Sequence, residues 1–178
     1  MKISFNGKIT ISMICLIIIG AGILTFVNKP VVAQTDITNQ NIIDAINMDL
    51  QEEWSSYIQY MKHGWEAEET SSYPKLKIEL FKKTAKEELD HIDMLGERIV
   101  ALGGIPSKKP SPVVEGGDIK KMAQDDLAKE NSMINQYKAH IQLAIDGGDE
   151  ETQHMLEKIL AREEKQGNMW EEKLGIIP

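Results

Sequence analysis

The sequence predicts an all-α protein whose four long helices lie side by side, and three observations carry that prediction. From residue 39 onward no run alternates apolar and polar residues, so a half-buried strand has no pattern to form on. Apolar residues recur instead at steps of three and four over four long segments, the spacing that gathers one stripe on one helix face. Pro, Gly and Ser clusters separate those segments where helices would have to stop and start. A chain of 178 residues is enough for one domain with a real core.

Before the helices comes a leader. Lys2 and Lys8 are followed by residues 9–27, nineteen residues without a charge. The run is longer than a usual signal core and just long enough to span a bilayer as a helix. Val31 and Ala33 suit a signal peptidase cutting before Gln34. Residues 1–33 are therefore expected to be a signal peptide or a retained membrane anchor, with 34–178 the body in the periplasm or another extracytoplasmic compartment. Cys15, the only cysteine, falls within the apolar run. The body has no thiol, which excludes disulfides, thiolate metal sites and cysteine nucleophiles together. It keeps 17 basic against 28 acidic residues, a net charge of −11 where the whole chain has −8. That balance predicts no nucleic-acid partner, because phosphate-backbone binding needs Lys and Arg to replace counterions. Membrane contact is expected only through the leader.

The helices are expected at about 39–69, 74–102, 119–146 and 150–174. Pro74 opens the second, Gly103 and Gly104 close it, and the Asp146-Gly147-Gly148-Asp149 turn separates the third from the fourth. The two short connections predict two antiparallel hairpins. Between them, residues 103–117 carry three prolines that forbid helix. Fifteen extended residues reach about 50 Å, which matches the ~38–46 Å of such helices and lets the third run parallel to the second. The alternative is a flexible linker between two hairpin domains, although neither hairpin alone could bury its apolar face.

Following each stripe exposes its one irregularity. The seams read Ile46, Leu50, Glu53, Tyr57, Tyr60; then Phe81, Thr84, Glu88, His91, Leu95; then Ala123, Leu127, Glu130, Ile134, Tyr137; then Leu156, Ile159, Glu163, Gln166, Trp170. Every stripe is interrupted near its middle by one Glu. Four carboxylates meeting in a core must hold protons, find cations or bind metal, since unpaired they face desolvation and mutual repulsion. His91, three residues after Glu88, shares its face and adds an imidazole. Carboxylates with imidazole suit iron or manganese, with zinc as a substitute.

These residues resemble the ferritin-like di-metal carboxylate proteins, and among them the bacterioferritins. The stretch from Ile46 through Glu53 to Tyr60 is similar to the first helix of that family, Glu87-Glu88-Leu89-Asp90-His91 to its second, and Asp126-Leu127-Ala128-Lys129-Glu130 to its third. The resemblance implies a ferritin-like four-helix bundle and a di-iron centre held by Glu53, Glu88, His91, Glu130 and Glu163, with Glu88 and Glu163 bridging. Tyr60 would be a hydrogen-bond donor or electron source beside it. Two departures bear on the centre. Gln166 stands where a second His is expected and is carried as a further ligand through its amide oxygen, a weaker donor to metal. Leu89 stands where bacterioferritins place the Met that ligates haem, so haem is not predicted.

The function implied is oxidation of Fe(II) by dioxygen or peroxide, with storage or detoxification of iron in a homo-oligomer, either a dimer or a cage. Two alternatives stand beside it: a peroxide-reducing protein of the rubrerythrin or manganese-catalase kind, and a non-enzymatic metal-binding or shell protein with an incomplete site. A miniferritin of the DNA-protection type fits less well, because its site forms between subunits with other spacings. Of the remaining histidines, His63 shares the face of Glu53 and suits a place beside the centre, whereas His140 and His154 read as surface or helix-end residues.

Overall fold

The computed structural model describes residues 37–70 and 75–175, and every regular element among them is an α-helix. Helix α1 spans Asn39–Thr70, α2 Lys75–Ala101, α3 Ile119–Gly147 and α4 Glu150–Leu174. These bounds lie within a residue of the expected ones because the end signals act locally. The Asp118 and Asp149 side chains accept the backbone N–H of Lys121 and Thr152, capping α3 and α4. Gly148, at φ 72°, makes the left-handed turn that ends α3, and Gly103, at φ 84°, turns the chain after α2. None of the described helices is long and apolar enough to cross a membrane. The leader, on which the expectation of export rests, lies outside the described residues.

Side-chain pairings fix the topology. Ile43 lies against Gly104 and His63 against Phe81, so α1 and α2 are antiparallel. Lys138 pairs with Glu164 while Glu130 lies against Gly167, so α3 and α4 are antiparallel too. Across the hairpins, Asp49 meets His140, Glu53 meets Tyr137, Tyr60 meets Glu130 and His63 meets Asp126. As α1 advances α3 recedes, and α3 therefore runs parallel to α2. The hairpins join mainly along α1 and α3, and more thinly along α2 and α4. Near the end of that thinner seam Arg98 of α2 reaches Asp149 and Thr152 at 2.6 and 2.8 Å.

The crossover is laid down as structure, not left as a linker. Asn47 of α1 donates to the Ile105 carbonyl and accepts the Ser107 N–H, at 3.2 and 2.7 Å. Ser111 N–H donates to the Gln51 carbonyl, Ser55 donates to the Pro112 carbonyl, and Val114 N–H donates to the Gln59 side chain. These bonds occupy backbone groups that three prolines bar from helix, and they hold the segment beside α1 over most of its length.

Two apolar clusters fill the bundle. One gathers Ile46, Leu50, Leu95, Ile99, Leu156 and Ile159, and the other gathers Phe81, Met122, Ala123 and Trp170. Between them on every helix lies a polar layer of Glu53, Glu88, His91, Glu130 and Glu163, each without exposed surface. Burial of an unpaired carboxylate is costly, so this layer demands an account that packing alone does not supply.

Candidate metal centre

The layer is assembled by helical spacing. Glu88 and His91, three apart on α2, point the same way, as do Glu163 and Gln166 on α4. His91 Nδ1 lies 2.8 Å from Glu163 Oε1, 3.1 Å from Glu88 Oε2 and 3.4 Å from Glu53 Oε1, yet it is aligned for a hydrogen bond with none of them. The donor atoms of Glu53, Glu88, His91 and Glu163 all fall within 4.8 Å of one another. Four donors from three helices thus converge on one point, in the form of a ligand set.

The remaining two expected ligands adjoin this group. Glu130 of α3 is fully buried and accepts a hydrogen bond from the Tyr60 hydroxyl. Gln166 is 4% exposed, and neither atom of its amide has a partner. The same holds for both oxygens of Glu88 and of Glu163, and for Oε2 of Glu53 and of Glu130. Buried polar atoms of native proteins are nearly always satisfied. An unsatisfied set of oxygens round one imidazole fits a bound cation, and carboxylate with imidazole fits iron, manganese or zinc.

The electrostatics agree. Burial, followed by the charges of Glu163 and Glu53, pushes Glu88 well above the usual carboxylate range. Burial with the charges of Glu163 and Glu88 does the same to Glu130, and burial with the charge of Glu53 raises Glu163. Burial also pushes Glu53 up, but the opposing charge of His91 and hydrogen bonds outweigh it and hold Glu53 below its ordinary value. For His91, burial works against the charged ring, and the carboxylates of Glu53, Glu163 and Glu88 overcome it to raise the imidazole far above normal. Without metal, the layer accordingly keeps protons, which a divalent cation would displace.

Several residues of the site escaped the sequence. Tyr137, expected only to pack, donates its hydroxyl to Glu53 Oε1. Asp49 and Asp126, one turn before Glu53 and Glu130, are both buried. Asp49 accepts from Gln136 at 2.8 Å and contacts His140 Nδ1 at 2.8 Å; Asp126 accepts from Gln59 at 2.8 Å and lies 2.9 Å from His63 Nδ1. His140 is therefore not a surface residue: it is tied to a buried carboxylate across the α1–α3 seam, and its side chain is only 14% exposed. His154, in contrast, is exposed. The overlooked signal is an internal repeat. Residues 49–63 and 126–140 share Asp, Leu, Glu, Ser, Gln, Tyr and His at seven corresponding positions of fifteen.

Comparison with known proteins adds to this geometry. A family model described as a ferritin-like domain matches residues 43–178. The chain is 30% identical over 148 residues to a nutrient stress-induced DNA-binding protein of Nostoc sp., spanning 78% of this chain and 79% of that protein. It is 32% identical over 128 residues to a DNA protection during starvation protein of Halobacterium salinarum, spanning 66% and 69%. Among solved structures, a bacterioferritin of Rhodobacter capsulatus has a TM-score of 0.73 at 22% identity, covering 77% of this chain and 85% of that one. A ferritin-like diiron-carboxylate protein from Bacillus anthracis has a TM-score of 0.72 at 24% identity, covering 76% and 96%. The structural likenesses show the fold.

The sequence relatives correct one expectation. Nucleic acid was set aside on net charge, and proteins of the DNA-protection type on ligand spacing, yet the relatives carry the names of DNA-binding and DNA-protection proteins. Net charge was the wrong discriminator, because association follows the local distribution of charge and not its sum. The ligand group itself is drawn from a single chain.

Proposed function

We propose, from the premise that this chain belongs to the ferritin-like domain family, that its buried layer takes up Fe(II), oxidises it with dioxygen or peroxide, and so serves iron storage and detoxification. One observation carries the proposal: the convergence of Glu53, Glu88, His91 and Glu163 between two apolar clusters, with carboxylate oxygens that no described residue satisfies by a hydrogen bond. Iron is here the substrate, and an iron pair would supply the electrons that reduce the oxidant. Glu53, Glu88, His91, Glu130 and Glu163 would hold it, with Gln166 as a weaker oxygen donor.

The chain's own residues prepare that chemistry. Glu88 and Glu163 stand on opposite helices with both oxygens free, as ligands shared between two ions require. Tyr137 and Tyr60 each donate a hydrogen bond to one oxygen of Glu53 and Glu130, and the other oxygen of each is left for metal. Burial, with the charges of Glu130, Asp126 and Glu88, raises the Tyr60 phenol well above its ordinary value, so it stays protonated and keeps donating. The ring of Tyr60 lies 6.1 Å from that of Trp170, which shields this side of the layer from solvent. Four carboxylates offset most of the charge of two divalent ions and favour the ferric state.

Anaerobic Fe(II) titration followed by oxygen uptake tests the proposal. Two irons per chain with rapid oxidation is the expected result, and binding below one per chain would sink it. We further propose that residues 1–33 export the 34–178 body and that it works as a homo-oligomer. Native mass and metal content of the protein taken from its own compartment check both.

A second function, protection of DNA, is favoured by the names of the sequence relatives. Removing Fe(II) before it meets peroxide would protect DNA chemically, and direct contact would add a salt-dependent association. Gel-shift at low salt, alongside a strand-scission assay with Fe(II) and peroxide, separates contact from scavenging.

A further inference from the structure

The repeat between residues 49–63 and 126–140 is also a repeat of contacts. Gln136 of α3 donates to Asp49 of α1 at 2.8 Å, and the corresponding Gln59 of α1 donates to Asp126 of α3 at 2.8 Å. His140 Nδ1 lies 2.8 Å from Asp49 Oδ1, and the corresponding His63 Nδ1 lies 2.9 Å from Asp126 Oδ1. Tyr137 donates to Glu53 where the corresponding Tyr60 donates to Glu130. Even Ser56 and Met133, which bond to each other at 3.1 Å, occupy the same place in the two segments. The α1–α3 seam thus has a local two-fold axis through Ser56 and Met133, with one terminal carboxylate and one Asp–Gln–His triad on each side.

Nothing in apolar packing calls for two buried Asp–Gln–His groups, and each polar group taken from water costs free energy that its hydrogen bonds only roughly offset. Their placement explains them. Each Asp stands one helical turn from a terminal Glu on its own helix, and each His stands one turn from the tyrosine that bonds that Glu. Each triad thereby locks the register of α1 against α3 at the level where a phenol must reach a carboxylate. The phenols take Oε1 of Glu53 and of Glu130, and Oε2 of each is the oxygen left without a partner.

We propose that Asp49–Gln136–His140 and Asp126–Gln59–His63 are paired positioning triads, which hold Tyr137 on Glu53 and Tyr60 on Glu130 so that each terminal carboxylate offers a single oxygen to metal. The proposal rests on the metal-binding function above. It assigns a role to six residues that would ligate nothing themselves. Outer residues that orient ligands typically contribute 10–100-fold in metal affinity.

Cobalt(II) titration of the full chain, read by its d–d absorption, tests this with Asp49→Asn, Asp126→Asn, Tyr137→Phe, Tyr60→Phe and the pairs Asp49→Asn/Tyr137→Phe and Asp126→Asn/Tyr60→Phe. Each single variant is expected to weaken cobalt binding about 10-fold or more and to alter the cobalt spectrum of the folded protein. Each pair should do little more than its stronger single member, since both members act on one carboxylate. Far-UV circular dichroism identifies variants that fold, and Gln59→Glu with Gln136→Glu supplies a second set should an Asn variant fail. Folded variants with unchanged affinity and spectrum, or fully additive pairs, would overturn the triads' role while leaving the metal site intact. Wild-type protein that takes up no cobalt would overturn the metal site, and the triads' role with it.

Discussion

The two seams where the hairpins meet are built on opposite plans. Along α1–α3 each buried carboxylate accepts a hydrogen bond across the seam: Asp49 from Gln136 with His140 beside it, Glu53 from Tyr137, Glu130 from Tyr60, and Asp126 from Gln59, with the His63 ring 2.9 Å from Asp126 but not aligned for a hydrogen bond. Along α2–α4 the buried polar groups of the same layer meet only as the close approach of His91 to Glu163 and Glu88, at 2.8 and 3.1 Å, and neither these groups nor Gln166 have an aligned hydrogen bond among the described residues. The first seam is also the more extensive of the two. The contrast separates a frame from a receptor. The carboxylates of α1 and α3 are each held by a hydrogen bond from the other helix, and those of α2 and α4 have oxygens left for a cation.

The largest effect should come from the receptor side. Glu88→Gln or Glu163→Gln should cost more than about 100-fold in Zn(II) or Co(II) affinity, exceeding the usual effect of outer residues. At pH above the raised values of Glu88 and Glu163 the same changes should raise the midpoint of urea unfolding of the metal-free protein, because a buried carboxylate crowded by others is replaced by a neutral amide. Loss of metal affinity together with loss of metal-free stability would mean that these carboxylates are structural, and the contrast between seams would fall.

On the frame side the sign reverses. Asp49→Ala should lower metal-free stability by about 1–3 kcal/mol, since it leaves Gln136 and His140 without their shared acceptor. Equilibrium urea unfolding measures it, and no change would mean that water replaces the carboxylate at no cost.

pH should sharpen the comparison. Glu88, Glu130 and Glu163 have raised values in the folded protein, chiefly through burial, so it holds protons there that the unfolded chain has lost. Their contribution is complete below the ordinary carboxylate range near ~4.3 and is lost as pH climbs through the raised values. Asp49 and Asp126, also raised by burial, and His91, raised by its carboxylates, act in the same direction. Glu53, held low, acts in the other. Stability of the metal-free protein should therefore fall from about pH 5 into the neutral range and beyond, while metal affinity rises over the same interval as protons cease to compete. Unfolding of metal-free and Zn(II)-loaded protein across that range checks it, and parallel pH curves would contradict it.

The smallest effect should lie on the local axis. Ser56→Ala removes a hydroxyl whose bond is to a thioether, a weak acceptor, and should cost less than about 1 kcal/mol. A larger loss would show that the axis itself, not the triads, secures the frame.

Much of this protein is legible in its sequence. The four helices are, because Pro74, Gly103 and the Asp146–Asp149 turn punctuate a three-and-four pattern that only helices satisfy. The Glu at the middle of each stripe is equally visible, because helical spacing alone places a residue on the core face. His140 was misread and Tyr137 undervalued for a shared reason: each acquires its role from a residue more than eighty positions away, on a helix whose register no local rule supplies. The 49–63 and 126–140 repeat was printed in the sequence, but likeness between two segments does not say that they face each other.

The sequence by itself determined the helices, their order and the four carboxylates turned inward, since these follow from periodicity and chain punctuation. Tertiary structure decided which of the inward groups are satisfied. It set α1 against α3 so that tyrosine and glutamine hydrogen-bond the carboxylates opposite, and set α2 against α4 so that the carboxylates crowd one imidazole without an aligned hydrogen bond. Satisfaction of a buried polar group depends on what stands within about 3 Å of it and is aligned with it in space, and only the packed bundle fixes that geometry.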